Sequence, residues 1–112
     1  MLGLERGEAS GWGPRRAGMA QAIVAHVYDV RLEEMLDGKR GCRRAALARQ
    51  VAMYLSHTAL GISVVDVARA FMRRRSTAYH ALRHVEDLRD DPEIDRTLAV
   101  LETMLAAAGR PA

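Results

Sequence analysis

The chain has 112 residues, a net charge of +3 and 49% hydrophobic residues, which suits a single folded domain with one modest core. Its few aromatic residues leave most of that core to aliphatic side chains, and alternating runs rich in Val and Thr are missing, so we expect an all-α fold without a sheet. One cysteine excludes a disulfide framework, and no apolar run approaches the ~20 residues that span a bilayer. We therefore expect a cytoplasmic protein without a membrane segment or a bound metal.

A glycine-rich start precedes the first predicted helix. Residues 1–17 show little apolar periodicity and are expected to form a flexible tail, which leaves a folded domain over 18–108 and a short tail over 109–112. One helix, or two short ones, should fill 18–37, because apolar residues recur there at helical spacing. Asp29 is placed to break or recap this helix.

A basic loop bracketed by Gly38 and Gly41 leads into a long helix. This helix is expected from Ala45 to Leu60, with Gly61 as its C-terminal cap. Its candidate buried residues are Val51, Tyr54, Leu55 and Leu60.

The next segment has the pattern of a short helix, a tight turn and a longer helix. Ser63 is a suitable N-cap, and Asp66 follows three residues later in the position of a capping box. A turn through Met72 should follow, and the longer helix should run from about Arg74 to about Arg89. This order of elements is the helix-turn-helix arrangement.

A last helix should start at Pro92, a residue suited to the first helical turn. Its anchors to the body would be Ile94, Leu98, Leu101 and Leu105. The chain is therefore expected to fold as a compact domain of five to six helices.

The charge is distributed unevenly along the chain. Residues 38–49 hold basic side chains and no acid, residues 66–84 hold five arginines against Asp66 alone, and residues 86–102 are mainly acidic. Such asymmetry indicates one face for a polyanion and another that stays in water.

The longer helix of the pair divides into two faces. Ala78, Ala81, Leu82 and Val85 form an inward stripe at helical spacing. The outer face and its rim are shared by Arg74, Arg75, Ser76, Thr77, Tyr79, His80 and Arg83. An arginine in the first turn of such a helix can bond guanine, a threonine methyl can contact thymine, and the free amides there favour a backbone phosphate.

Three stretches carry a family resemblance. The sequences RQVAMYL at 49–55, GISVVDVARAF at 61–71 and STAYHA at 76–81 resemble the C-terminal DNA-binding domain of the bacterial replication initiator family DnaA, over roughly residues 19–105. The resemblance implies a Trp-repressor-like helical arrangement that binds double-stranded DNA. It also implies a recognition helix in the major groove and an arginine of the basic loop in the adjacent minor groove.

The resemblance also assigns candidate contacts to this chain. The recognition-helix group comprises Arg73, Arg74, Arg75, Ser76, Thr77, His80 and Arg83. The basic-loop and backbone group comprises Lys39, Arg40, Arg43, Arg44, Arg49, Ser63, Val64 and Val65. For the minor groove, Arg40 is the first choice, followed by Arg43 and Arg44.

Three departures limit what is transferred from the family. The initiators usually have Asp-His-Thr-Thr where this chain has Arg74-Arg75-Ser76-Thr77, so the DNA sequence that they recognise is not carried over. They tend to have Gly in the turn where this chain has Met72. The ATPase phosphate-binding motif Gly-x-x-x-x-Gly-Lys-Ser/Thr does not occur, and 112 residues are too few for an ATPase domain, so we expect no self-sufficient initiator.

The sequence thus favours a small regulator of transcription or of replication initiation that acts on the nucleoid. Its partners would be double-stranded DNA and either a second copy or a replication initiator, with no membrane, cofactor or small-molecule substrate. The alternative is a protein interaction module that keeps the fold and binds DNA weakly or nonspecifically.

Catalysis is not expected, because no nucleophile is paired with a base. His80 and His84 lie one turn apart and could bind a metal, but surface or phosphate-facing imidazoles are the favoured interpretation.

Overall fold

The computed structural model describes residues 2–37 and 43–108, with side chains from residue 15 onward. This part of the chain forms six α-helices and contains no strand, which confirms the all-α prediction. The helices are α1 (Leu2–Val27), α2 (Leu32–Asp37), α3 (Arg43–Thr58), α4 (Val64–Ala70), α5 (Arg75–Leu88) and α6 (Pro92–Ala108). None of the helices in these two ranges is both long enough and apolar enough to cross a membrane.

The first helix begins earlier than the sequence predicted. The structure has helix from Leu2 onward, where a tail was expected over 1–17. Ala17 is fully buried in the core together with Ala20 and Val24, at spacings of three and four residues. The inward face of α1 therefore extends further toward the N-terminus than its large apolar residues suggest, because small alanines continue it. The tail predicted over 109–112 lies outside the described residues.

Helix α3 is the centre of the domain. Every side chain from 51 to 56 is buried, and the helix contacts all five of the others. The four residues predicted for its buried side, Val51, Tyr54, Leu55 and Leu60, are indeed buried. Helices α1 and α5 supply its largest contacts, so the recognition-helix candidate α5 rests directly on the central helix.

Three of the described helices are followed by a residue in the left-handed conformation. After α3 it is Gly61, with φ 69°, the residue that the sequence predicted as the C-terminal cap. After α1 it is Asp29, with φ 55°, at the position where the sequence predicted a break or recap, and after α4 it is Met72, with φ 56°. Beyond Met72, the Arg73 amide donates to the Ala68 carbonyl at 2.9 Å, which gives the hydrogen-bond pattern of a Schellman motif. The turn therefore keeps the conformation that suits glycine, although a methionine occupies it.

Replacing Met72 by glycine should stabilise the fold. A left-handed conformation costs an L-residue about 1–2 kcal/mol, and the 89% exposed Met72 side chain loses no core contacts when it is removed. The greater freedom of glycine in the unfolded chain offsets part of this gain, so we expect a net rise in the melting temperature of about 2–4 °C.

The matched control is Asp29→Gly, measured by the same thermal melt. Its gain should be smaller, because aspartate tolerates the left-handed region better than methionine does. A lower melting temperature for Met72→Gly would show that the turn does not hold Met72 under strain.

Helix α6 is attached by both apolar and polar contacts. Leu98, Leu101 and Leu105 are buried and Ile94 is partly buried, as predicted from their spacing. On the polar side, the Arg89 guanidinium donates to Asp95 at 2.6 Å and to Glu102 at 3.0 Å. Two carboxylates of the acidic segment 86–102, those of Asp95 and Glu102, therefore pair with Arg89.

Candidate nucleic-acid interface

Helices α4 and α5 form the predicted helix-turn-helix, and their N-termini differ in one respect. Ser63 caps α4: its Oγ accepts a hydrogen bond from the Asp66 amide at 3.1 Å. Arg74 occupies the equivalent position before α5 with nearly the same backbone angles, φ −73° and ψ 155° against −64° and 155°, but makes no side-chain capping bond. The first amides of α5 therefore have no side-chain acceptor from their own cap.

The two faces of α5 are as the sequence predicted. Ala78, Ala81 and Val85 are buried and Leu82 is partly buried. The exposed residues of the predicted recognition group are Arg74, Arg75, Ser76, Thr77, His80 and Arg83. At 1.5 Å rise per residue, the exposed face from Arg75 to Arg83 is about 12 Å long. With its side chains an α-helix is about 10–12 Å in diameter, which fits a major groove about 12 Å wide.

Nothing on α5 neutralises the positive charge of its first turn. The helix has no acidic residue in that turn, and Arg74, Arg75 and Arg83 make no ion pair with any described residue. Three like charges without counter-charges favour contact with a polyanion. The open amides at the same helix end add partial positive charge to this site.

The N-terminus of α4 lies at the start of the same motif. Ser63 and Val65 are exposed, and Val64 is partly buried against the core. Arg43 and Arg44 are both exposed in the first turn of α3. These residues are thus accessible, as contacts to a DNA backbone require.

Arg49 and Arg73 have a different environment from the other arginines. The Arg49 Nη1 donates to the Met35 carbonyl and the Arg73 Nη2 to the Leu36 carbonyl, each at 3.1 Å, so both hold the last turn of α2. Burial and the nearby charge of Arg73 lower the pKa of Arg49. The Nε of Arg73 is buried without a described partner.

This placement changes the expected grouping of Arg73. The sequence placed it with the recognition helix, but it precedes the first residue of α5 by two positions and reaches back to α2. Arg49 and Arg73 thus join α2, α3 and the turn before α5. Lys39 and Arg40 of the basic loop lie outside the described residues.

Met72 is a surface feature that the sequence analysis treated only as a turn residue. Its side chain is 89% exposed and directly precedes the arginines 73–75. The sequence could have indicated this exposure, because Met72 stands in a turn between a short helix and three consecutive arginines, whereas methionine is usually buried. It is an additional candidate for apolar contact with a ligand at this face.

The comparisons with known proteins agree with this geometry. The family model for the bacterial DnaA protein helix-turn-helix matches residues 19–85. The chromosomal replication initiator protein DnaA of Aquifex aeolicus is 41% identical over 66 residues, which are 58% of this chain and 16% of that protein. The DnaA of Laribacter hongkongensis is 37% identical over 87 residues, which are 76% of this chain and 18% of that protein.

Two solved structures have a similar fold. A crystal structure of a DNA replication initiation factor superposes with a TM-score of 0.81 at 31% identity, over 97% of this chain and 33% of that one. A replication initiator DnaA bound to AMPPCP and single-stranded DNA superposes with a TM-score of 0.76 at 30% identity, over 96% of this chain and 32% of that one.

The matched region is a minor part of each relative. The chain spans less than a fifth of the length of these curated initiators and about a third of the two solved chains. The family model nevertheless covers more than half of this chain and includes α3, α4 and most of α5. The chain therefore belongs to the bacterial DnaA helix-turn-helix family.

Proposed function

We propose that this domain binds double-stranded DNA in a sequence-specific manner, with α5 in the major groove. In this role it would act on the nucleoid, in the cytoplasm, as a small regulator of transcription or of replication initiation, without ATPase activity of its own. A second copy of the chain or a replication initiator would supply the additional contacts that a single small domain lacks.

The observation that carries this proposal is the N-terminal end of α5. Arg74 and Arg75 are exposed there without a described counter-charge, beside amides that no cap side chain satisfies, in a helix-turn-helix of the DnaA family. Guanidinium groups and open amides are the donors that phosphates and guanine edges accept. Ser76 and Thr77 add short side chains that permit close approach to the bases.

The bases recognised should differ from those of the initiators. Arg74 and Arg75 stand where the family usually has an acceptor and an imidazole, and two cationic donors favour guanine contacts. His80 and Arg83, one and two turns further along the exposed face, are suited to phosphates. Arg43, Arg44, Ser63, Val64 and Val65 would contact the backbone on either side of α5.

The test is selection of bound duplexes from a random pool at near-physiological salt. We expect a defined motif with the native chain and no motif with the Arg74→Ala/Arg75→Ala double variant. The control variant is Arg96→Ala, which removes an exposed arginine on α6 and should select the native motif.

A second readout separates specific from nonspecific binding. The affinity of a purely electrostatic complex falls with salt equally for all duplexes, whereas specific recognition retains discrimination. If the native chain selects no motif, the sequence-specific role is wrong, and the interaction-module hypothesis takes its place.

A further inference from the structure

Two histidines on the outer side of α5 lie next to each other. His80 and His84 are four residues apart, both are exposed, and their ring planes are parallel within 3° at a centroid distance of 6.2 Å. Histidines at this spacing on one helix face are a recurrent zinc-binding pair. The other histidines offer no such pair: His26 stands alone in the last turn of α1, and His57 Nδ1 donates to the Ile62 carbonyl.

The distance between the rings is close to that of a chelate. A Zn–N bond of about 2.0–2.1 Å puts each ring centroid about 3.2 Å from the ion, so a tetrahedral angle separates the centroids by about 5 Å. The observed 6.2 Å is therefore longer by roughly 1 Å. Because an ion lies in the plane of each imidazole that binds it, both rings must also turn out of their parallel stacking. Rotation about χ2, whose torsional well is broad for histidine, permits this because both side chains are exposed.

The surrounding charges neither block nor complete a metal site. Asp87 follows His84 by three residues, so its carboxylate lies on the same side of α5, and Arg83 directly precedes His84. Within residues 2–37 and 43–108, no group of three His, Cys, Asp or Glu side chains is arranged to hold a metal. The two imidazoles would be the protein ligands, and water would fill the other positions.

We propose that His80 and His84 form an exchangeable binding site for a divalent transition-metal ion. This site does not depend on the proposed function, although His80 is also a candidate phosphate contact. A duplex and a metal ion would then compete for the same imidazole. The expected order of affinity is Cu²⁺ above Ni²⁺ and Zn²⁺, as for other nitrogen sites.

The test is a titration of the untagged chain with Zn²⁺ alone, followed by calorimetry and by NMR of the imidazole nitrogens. Cys42 is replaced by serine in every sample, because its thiol is an independent metal ligand. We expect one Zn²⁺ per chain and simultaneous shifts of the His80 and His84 rings. Metal that binds the folded chain should also raise its melting temperature.

The variants are His80→Ala and His84→Ala, with His26→Ala as the control for an exposed lone histidine. Removing a residue that only hydrogen-bonds a metal ligand weakens metal affinity by about 10–100-fold. Removing one of the two ligands themselves should therefore weaken Zn²⁺ binding at least about tenfold. The control should bind as the parent does. Unchanged affinity in either variant, or no binding by the parent, would overturn the proposal.

Discussion

Replacing Arg74 by serine should make the domain more stable and, at the same time, weaken its binding to duplex DNA. The two effects have separate causes at the same residue. Arg74 holds the N-cap position of α5 without capping it, and its cationic side chain faces outward. Arg74→Ser therefore tests whether Arg74 contributes to DNA binding rather than to the stability of the fold.

The gain in stability follows from a capping site already present in this protein. Ser63 has nearly the same backbone angles as Arg74, and its Oγ accepts from the Asp66 amide at 3.1 Å. Serine at 74 should accept from the Ser76 or Thr77 amide in the same way. A serine N-cap contributes about 1 kcal/mol, which corresponds to roughly 4 °C in the melting temperature.

The loss in binding has two components. The substitution removes a donor that is worth about 1–3 kcal/mol when it contacts a base bidentately, so the affinity should fall about tenfold or more. The new hydroxyl also occupies an amide that would otherwise face a phosphate. Both losses are measured by titration of the selected duplex at fixed salt.

Two variants isolate these components. Arg74→Ala removes the cation without adding a cap, so it should weaken binding similarly and leave the melting temperature below that of Arg74→Ser. Arg96→Ala on α6 should affect neither property by much. Native affinity in Arg74→Ser would place the start of α5 away from the DNA.

The helices were largely predictable because their signals are local. The break at Asp29, the Ser63 cap and the Pro92 start are each determined by one or two side chains, and the structure has them where the sequence predicted them. The inward stripe of α5 follows from its spacing alone. Helix α1 begins before residue 18, and Ala17, which adds to its buried face, is too small to stand out in a hydrophobic pattern.

The polar contacts between helices could not be predicted in the same way. Arg73 donates to the Leu36 carbonyl, 37 residues away, and Arg49 to the Met35 carbonyl, 14 residues away. Backbone carbonyls leave no residue-specific pattern, so nothing in the sequence separates these two arginines from the exposed ones. The candidate contacts on α5, by contrast, followed from one helix face and a family pattern.

The cluster around Arg89 is another polar contact of this kind, and it joins α3, α5 and α6. The Arg89 Nη1 donates to the Tyr54 hydroxyl at 3.1 Å, and that hydroxyl donates to Glu86 at 3.0 Å. Burial alone would lower the pKa of Arg89, but its bonds to Asp95, Tyr54 and Glu102 outweigh it and raise the pKa. Burial raises the pKa of Tyr54, which keeps its hydroxyl protonated as a donor.

Replacing Arg89 by methionine should therefore destabilise the domain substantially. The change keeps an unbranched side chain but leaves Asp95 and Glu102 without their common cation and removes a donor from the Tyr54 hydroxyl. Hydrogen bonds to charged groups are worth about 1.5–3 kcal/mol, and because the Asp95 side chain is 50% exposed, we count that pair as weak. We expect a loss of about 2 kcal/mol, or roughly 8 °C in the melting temperature.

A double-mutant cycle with Tyr54→Phe tests whether the cluster acts as a unit. Tyr54→Phe keeps the buried ring and removes only the hydroxyl that Arg89 and Glu86 share. If the hydroxyl depends on Arg89, the two changes should together cost less than the sum of the single changes, by about 0.5 kcal/mol or more. Additive losses would mean that Arg89 anchors α6 through Asp95 and Glu102 alone. The control is Arg96→Met, which removes an exposed arginine of α6. It should change the free energy of unfolding by no more than about 0.5 kcal/mol, so a larger loss in Arg89→Met cannot come from the lost charge alone.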